Sequence, residues 1–328
     1  MKRKEQIYKG EFKKEANYES VLESLNSSLV TAQEEFLDTE IENKVNIHII
    51  GVPRSGTTLI NQYLSSYMNV GYINNFIATF WRAPIFGIEI AKKTLKLDYL
   101  SNFESKFGRT DNIMEPHEFG YFWNENLQYP NLMEQSPEHE LTVDWSHLNL
   151  LLNNMVRAFD KPILFKSFLL GFHSFKQYST NNKSVFIYIN RDRIETAHSI
   201  LKLRNNLLGD EELWGSIMPK EYSILKELDK FKQIAGQVYF LNKSYKAQLA
   251  KIPSSNVIYV DYNSFCESPK DVLDLINTKV QSIENDYEVK DVEAGKIQFK
   301  PKQADLRFVE EFRDAFAYIE DLDNKLYT

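Results

Sequence analysis

The stretch VNIHIIGVPRSGTTLINQYL, residues 45–64, decides the fold. It opens as a short apolar run rich in β-branched residues and stops at Gly51, the pattern of a buried strand. PRSGTT then reads as a turn and the residues after it as a helix. A strand feeding a helix through such a turn presents backbone N–H groups at the helix N-terminus, where the macrodipole favours an oxyanion. Gly51 and Gly56 have the separation of a Walker-type phosphate loop, and Thr57 and Thr58 supply hydroxyl groups behind the second glycine. The lysine that such a loop places next is absent, because that position is Thr57. The cation is instead Arg54, inside the loop, whose planar guanidinium can grip an anion with two hydrogen bonds. An ATP- or GTP-hydrolysing loop is therefore disfavoured, while anion binding is expected.

Working outward, further strands are expected at Ile163–Lys166, Ser184–Arg191 and Asn256–Tyr262. Helical patterns lie at Glu195–Asn206 and Ile224–Lys251, and another follows from Pro269. Alternating strand and helix predicts an α/β fold, a P-loop-like central parallel sheet with helices on both faces. Upstream, Val21, Leu22, Leu25 and Leu29 predict a helix over Tyr18–Phe36 that braces or lids the core. Trp81–Trp145 is rich in aromatics without strand alternation, so helices and loops packed over one end of the sheet are expected there. The strand ending at Arg191 repeats the theme of the first, because a helix begins near Ile194 and ligands of open α/β sheets gather at the carboxyl ends of strands. Arg191 and Ser199 can face one phosphate if the chain turns at Asp192–Arg193. The plainer alternative is that Arg191 pairs with Asp192 or Glu195 and Ser199 only packs.

Composition narrows the class. Of 328 residues, 39 are Lys or Arg and 46 Asp or Glu, a formal net charge of −7 that argues against a coat for nucleic acid. A few local cations can still serve a small anionic ligand. The single cysteine, Cys266, excludes an intrachain disulfide and a stapled secreted module. The basic N-terminus, MKRKEQIYKG, has no apolar run behind it, and no apolar stretch approaches the ~20 residues that cross a bilayer. A cytoplasmic protein without integral membrane association is the simplest expectation.

GVPRSGTTL followed by an Arg-Asp element with a serine eight residues after the arginine resembles the sulfotransferases that use 3′-phosphoadenosine 5′-phosphosulfate (PAPS), in the branch with Pro-Arg-Ser-Gly-Thr-Thr loops. YINNFIATFWRAP (72–84), MEPHEFGYFW (114–123), LFKS (164–167) and VIYVDYNSFCESP (257–269) add support, so the similarity runs from about residue 45 to about residue 280. The resemblance implies that Arg54, Ser55, Gly56, Thr57 and Thr58 hold the 5′-phosphosulfate and that Arg191 and Ser199 hold the 3′-phosphate. Lys166 matches a lysine of the family and would reach the bridging oxygen. The family's proline after Ser167 is replaced by Phe168, and the nearest histidine is His173.

Sulfuryl transfer also needs a base for the acceptor. MEPHEFGYFW sets Glu115, His117 and Glu118 beside aromatics, where burial raises a carboxylate toward neutrality and an imidazole already titrates. One of these three is the expected base. The histidines form no metal-binding pattern, and a sulfuryl group carries too little charge to demand magnesium, so no metal is expected. Lys300, Lys302 and Arg307 form a basic turn whose spacing departs from the family's closing loop, which leaves open whether it touches the nucleotide.

The expected organisation is an N-terminal helical extension over residues 1–44 and one sulfotransferase-like α/β domain over 45–328, with a helical insertion at 80–150 near the acceptor site. The expected activity is sulfuryl transfer from PAPS to a hydroxyl of a carbohydrate, lipid or small molecule. A P-loop small-molecule kinase and a non-catalytic nucleotide-binding protein are the alternatives.

Overall fold

Asn46–Ile50 forms strand β1, every residue of it buried. In the computed structural model, which describes residues 15–129, 139–291, 297–301, 305 and 308–327, β1 lies at the centre of a five-stranded sheet of order β2-β3-β1-β4-β5. The other strands are β2 (Gly71–Tyr72), β3 (Ile163–Lys166), β4 (Ser184–Asn190) and β5 (Val257–Asp261), and all pairings are parallel. Parallel strands need crossovers, and the helices supply them. In chain order they are α1 (Ala16–Glu35), α2 (Thr57–Tyr67), α3 (Pro84–Thr94), α4 (Gly120–Asn126), α5 (Trp145–Phe159), α6 (Phe168–Gly171) and α7 (Ser174–Thr180). After these come α8 (Arg193–Leu203), α9 (Tyr222–Leu225), α10 (Lys230–Leu249), α11 (Tyr262–Glu267), α12 (Pro269–Ile283) and α13 (Val309–Tyr327).

The alternation of a strand sends successive side chains to opposite faces. Ile47 and Ile49 join Ile60 and Leu64 of α2 and Leu273 and Ile276 of α12 on one side. Ile50 points the other way, into a core with Leu148 and Leu152 of α5 and Leu241 of α10. His48 takes the same face as Ile50, stacked between Phe165 and Phe186 at ring separations of 5.6 and 5.4 Å. Its Nε2 lies 2.6 Å from Asn46 Oδ1, and burial pushes the imidazole down to about 3, so it is a neutral core group. A third core joins α8 and α10 to Phe312, Phe316 and Ile319 of α13. Among the described residues no helix is long and apolar enough to cross a membrane.

Three sequence expectations are corrected. The helix near the N-terminus is present, but only part of its apolar stripe packs: Leu22 lies against the core while Val21 is 63% exposed and Leu25 37%, and Asn26 and Gln33 share the buried face. Asn26 donates to Thr79 O and accepts from Arg82 N, and Gln33 accepts from Ile85 N, so α1 is held by side-chain amides clasping backbone. The helix expected over Ile224–Lys251 is two, because Asp229 accepts from Phe231 N and Lys232 N and starts α10 afresh. The helix after Arg193 keeps its α form only to Leu203, and Arg204–Leu208 continues as a π-turn. The short β2, two residues at the sheet edge, carries too little alternation to be foreseen.

Candidate functional site

β1, β3 and β4 end at one cleft, a cavity of about 1270 Å³, the position that open α/β sheets give to ligands. Gly56 caps α2 at φ 102°, and a Cβ there would meet the Tyr262 ring at 2.2 Å. Glycine is therefore required both by the backbone and by the aromatic laid against it. Arg54 also takes a left-handed φ, 70°, uncommon for a residue with a side chain. Thr57 and Thr58 begin α2 directly behind, with N–H groups of the first turn unclaimed by the helix itself. The Ser55 hydroxyl is buried and has no hydrogen-bond partner among the described residues.

The second strand end folds onto the first. Arg54 Nε donates to Ser199 Oγ at 3.2 Å, and Arg191 Nη1 donates to Arg54 O at 3.1 Å. Arg191 pairs with Glu195 at 3.2 Å, as the plainer alternative required, and its guanidinium lies 4.6 Å over the Tyr262 ring. Loss of water and the neighbouring Arg191 cation push the Arg54 guanidinium down to about 10. Two cations held together in this way favour an anion beside them. Asp192 does not pair with Arg191 here; it caps α8 through Ile194 N and Glu195 N, fixing where Ser199 falls.

Lys166 closes the third side. It is 4% exposed at the end of β3, and its Nζ donates to Thr58 Oγ1 at 3.0 Å and to Glu118 Oε2 at 3.2 Å. Of the three candidate bases, Glu118 is therefore the one at the strand ends, on the cavity wall beside the lysine. His117 also borders the cavity, but its Nδ1 accepts from Phe119 N at 2.8 Å. That nitrogen is thereby occupied by a backbone N–H. Glu115 is turned away: its carboxylate accepts from Gln62 Nε2, Tyr99 OH, Ser101 Oγ and Asn102 N. That carboxylate gathers donors from α2 and from residues 99–102, and Glu115 is not among the residues that line the cavity.

What Glu115 anchors is a segment that sequence reasoning passed over. Asn102–Asp111 borders the cavity, with left-handed residues at Phe103, Phe107 and Gly108 and mutual Lys106–Arg109 backbone hydrogen bonds. At its tip Gly108 lies so close that a Cβ would stand 3.4 Å from both Arg54 Nη1 and Thr58 Oγ1. The Phe-Gly pair at 107–108 is the one signal of it in the sequence. Tyr262 was also missed, since its role is contact with Gly56 and Arg191 across the sheet. From the C-terminal region Phe299 and Lys300 reach the cavity rim, Phe299 stacking on Phe265 at 5.8 Å; Lys302 and Arg307 lie outside the described residues, as does the basic segment 1–14. His173 stands apart from the cleft, buried between Tyr129 OH and Glu140. Among the described residues no group of three His, Cys, Asp or Glu side chains is disposed to hold a metal ion.

No family model matches this sequence. No curated protein matches it either. Solved structures do. The chain is similar to a sulfotransferase from Mycobacterium avium at 12% identity and a TM-score of 0.54, covering 92% of this chain and 81% of that one. It is similar to a sulfotransferase from Mycobacterium tuberculosis H37Rv at 15% identity and a TM-score of 0.51, covering 92% and 86%. The fold is thus that of bacterial sulfotransferases.

Proposed function

We propose that the protein moves a sulfuryl group from PAPS to an acceptor hydroxyl and releases adenosine 3′,5′-bisphosphate. The observation that carries this reading is the meeting of two anion-binding strand ends on one cleft, joined by the Arg54–Ser199 hydrogen bond of 3.2 Å. A nucleotide with phosphate on both sides of its ribose needs two such sites. The loop of Arg54, Ser55, Gly56, Thr57 and Thr58 holds the 5′ end, with the buried Ser55 hydroxyl available to it, and Arg191 with Ser199 holds the 3′-phosphate. The cations beside them fit that donor's charge.

When bound, PAPS supplies a sulfuryl group whose bond to the 5′-phosphate oxygen breaks as the acceptor oxygen bonds to sulfur. Glu118 takes the acceptor proton. Lys166, Thr58 and the first N–H groups of α2 meet the charge that collects on the departing phosphate oxygen, where preorganised donors contribute most. Lys166 and Glu118 touch at 3.2 Å, so cation and base border the same point of the cleft.

Release of bisphosphate from PAPS, followed chromatographically with a panel of alcohols, phenols and saccharides, tests this. Lys166→Ala is expected to slow release by about 10²–10³. Release no faster than the blank with every acceptor, together with phosphorylation of one of them by ATP and magnesium, would establish the kinase alternative instead.

A further inference from the structure

The cleft is larger than one ligand requires: about 1270 Å³ against the ~300–1,000 Å³ usual for a small-molecule site. Its wall beyond Lys166 is built from Leu169, Leu203, Leu207, Leu208, Ile217 and Phe107. The π-turn makes this wall. Its i→i+5 closure brings the residues four and five positions after Leu203 back to the same side, and Leu203, Leu207 and Leu208 form one cluster with Phe107 packed on it.

Two buried polar side chains hold the wall in place. Arg204, fully buried within the π-turn, donates to Glu211 O at 3.3 Å and to Gln233 Oε1 at 2.8 Å, and lies 5.1 Å from the Trp214 ring centroid. Gln237, fully buried on α10, donates to Gly215 O at 2.9 Å and Ile217 O at 2.7 Å. Those carbonyl groups are engaged from behind. A saccharide pressed against these leucines would lose water from the hydroxyls that face them, a cost that an aliphatic body avoids.

We propose that the acceptor is an aliphatic alcohol, with a long-chain or alicyclic body, whose carbon skeleton lies along Leu203, Leu207, Leu208 and Ile217 and whose hydroxyl reaches Glu118. This rests on the sulfotransferase reading for the fate of the hydroxyl, but the seat for the carbon skeleton is independent of it. Arg204 and Gln237 are positioning residues for that seat.

Calorimetry on the full chain with hexanol, octanol and decanol, with and without adenosine 3′,5′-bisphosphate, reads the seat directly. Each added methylene is expected to tighten binding about threefold to fourfold. Leu207→Gln should weaken decanol at least about tenfold, by setting an amide in the apolar wall, and leave bisphosphate affinity unchanged, while the volume-conserving Leu207→Met keeps both. Equal affinity for hexanol and decanol, methyl glucoside binding as tightly as decanol, or undiminished decanol binding by Leu207→Gln would overturn the proposal. The chain-length series on the unaltered protein decides even where L207Q does not fold. Failure of the donor reading shows separately, as absent bisphosphate binding with the alcohol series intact.

Discussion

The two ends of the cleft are built by different means. At the proposed donor end, loop 51–58 and the turn at 191–199 each hold their candidate anion-binding groups in eight or nine consecutive residues, placed by strand ends and helix starts. At the acceptor end the wall comes from α6, the π-turn and residues 215–217, with loop 102–111 set across it by Glu115. Backbone geometry makes the first; buried side-chain ties make the second. The donor end should therefore fail through single charges, and the acceptor end through loss of support.

The largest effect is expected where the ends meet. Glu118→Gln removes the proposed base and should lower kcat by about 10²–10⁴ with bisphosphate affinity nearly unchanged, measured by steady-state kinetics beside calorimetry. Next comes the donor end alone: Arg191→Ala should weaken adenosine 3′,5′-bisphosphate by about 2–4 kcal/mol, as for removing one partner of a desolvated charge pair. A loss under about 0.5 kcal/mol would assign Arg191 to its Glu195 pair and the Tyr262 ring only.

The same contrast explains what could be read from the sequence. Arg54, Thr58, Lys166, Arg191 and Ser199 were legible because each sits at a fixed offset from a strand end, and the structure brings all of them to one cleft. Glu115 and Glu118 could not be told apart, being three residues apart in one motif; only the donors that converge on Glu115 from Gln62, Tyr99 and Ser101 separate them. Tyr262 was invisible, and Gly108 was signalled only as half of a Phe-Gly pair, since the meaning of each is a contact with the loop from a distant part of the chain. Helix α1 was legible as a helix, and Leu22 does pack on the core, but Asn26 and Gln33, which hydrophobic periodicity counts as surface, share its buried face.

Support at the acceptor end is tested by stability. Glu115→Gln keeps the shape but removes the charge that collects the donors of Gln62, Tyr99, Ser101 and Asn102, and should cost about 1–3 kcal/mol in urea unfolding at pH 7, with a raised KM for the acceptor. An effect of similar size belongs to the shared core. His48 is held neutral with its pKa at about 3, below that of the unfolded chain, so the unfolded state binds the extra proton between about pH 3 and 6.5. Stability should rise with pH across that window, by at most about 1.4 kcal/mol per unit from this group. In His48→Gln that share of the slope disappears, which urea midpoints at pH 4.5 and 7 would reveal.

In the proposed function the two strand ends form one site for a nucleotide phosphorylated at both 3′ and 5′ positions. Calorimetry of the unaltered protein with adenosine 3′,5′-bisphosphate and, separately, with ADP tests it most directly. Binding of the bisphosphate at least about tenfold tighter, with the difference erased by Arg191→Ala, is the predicted result. Equal affinity for the two, or preference for ADP with magnesium, would contradict it.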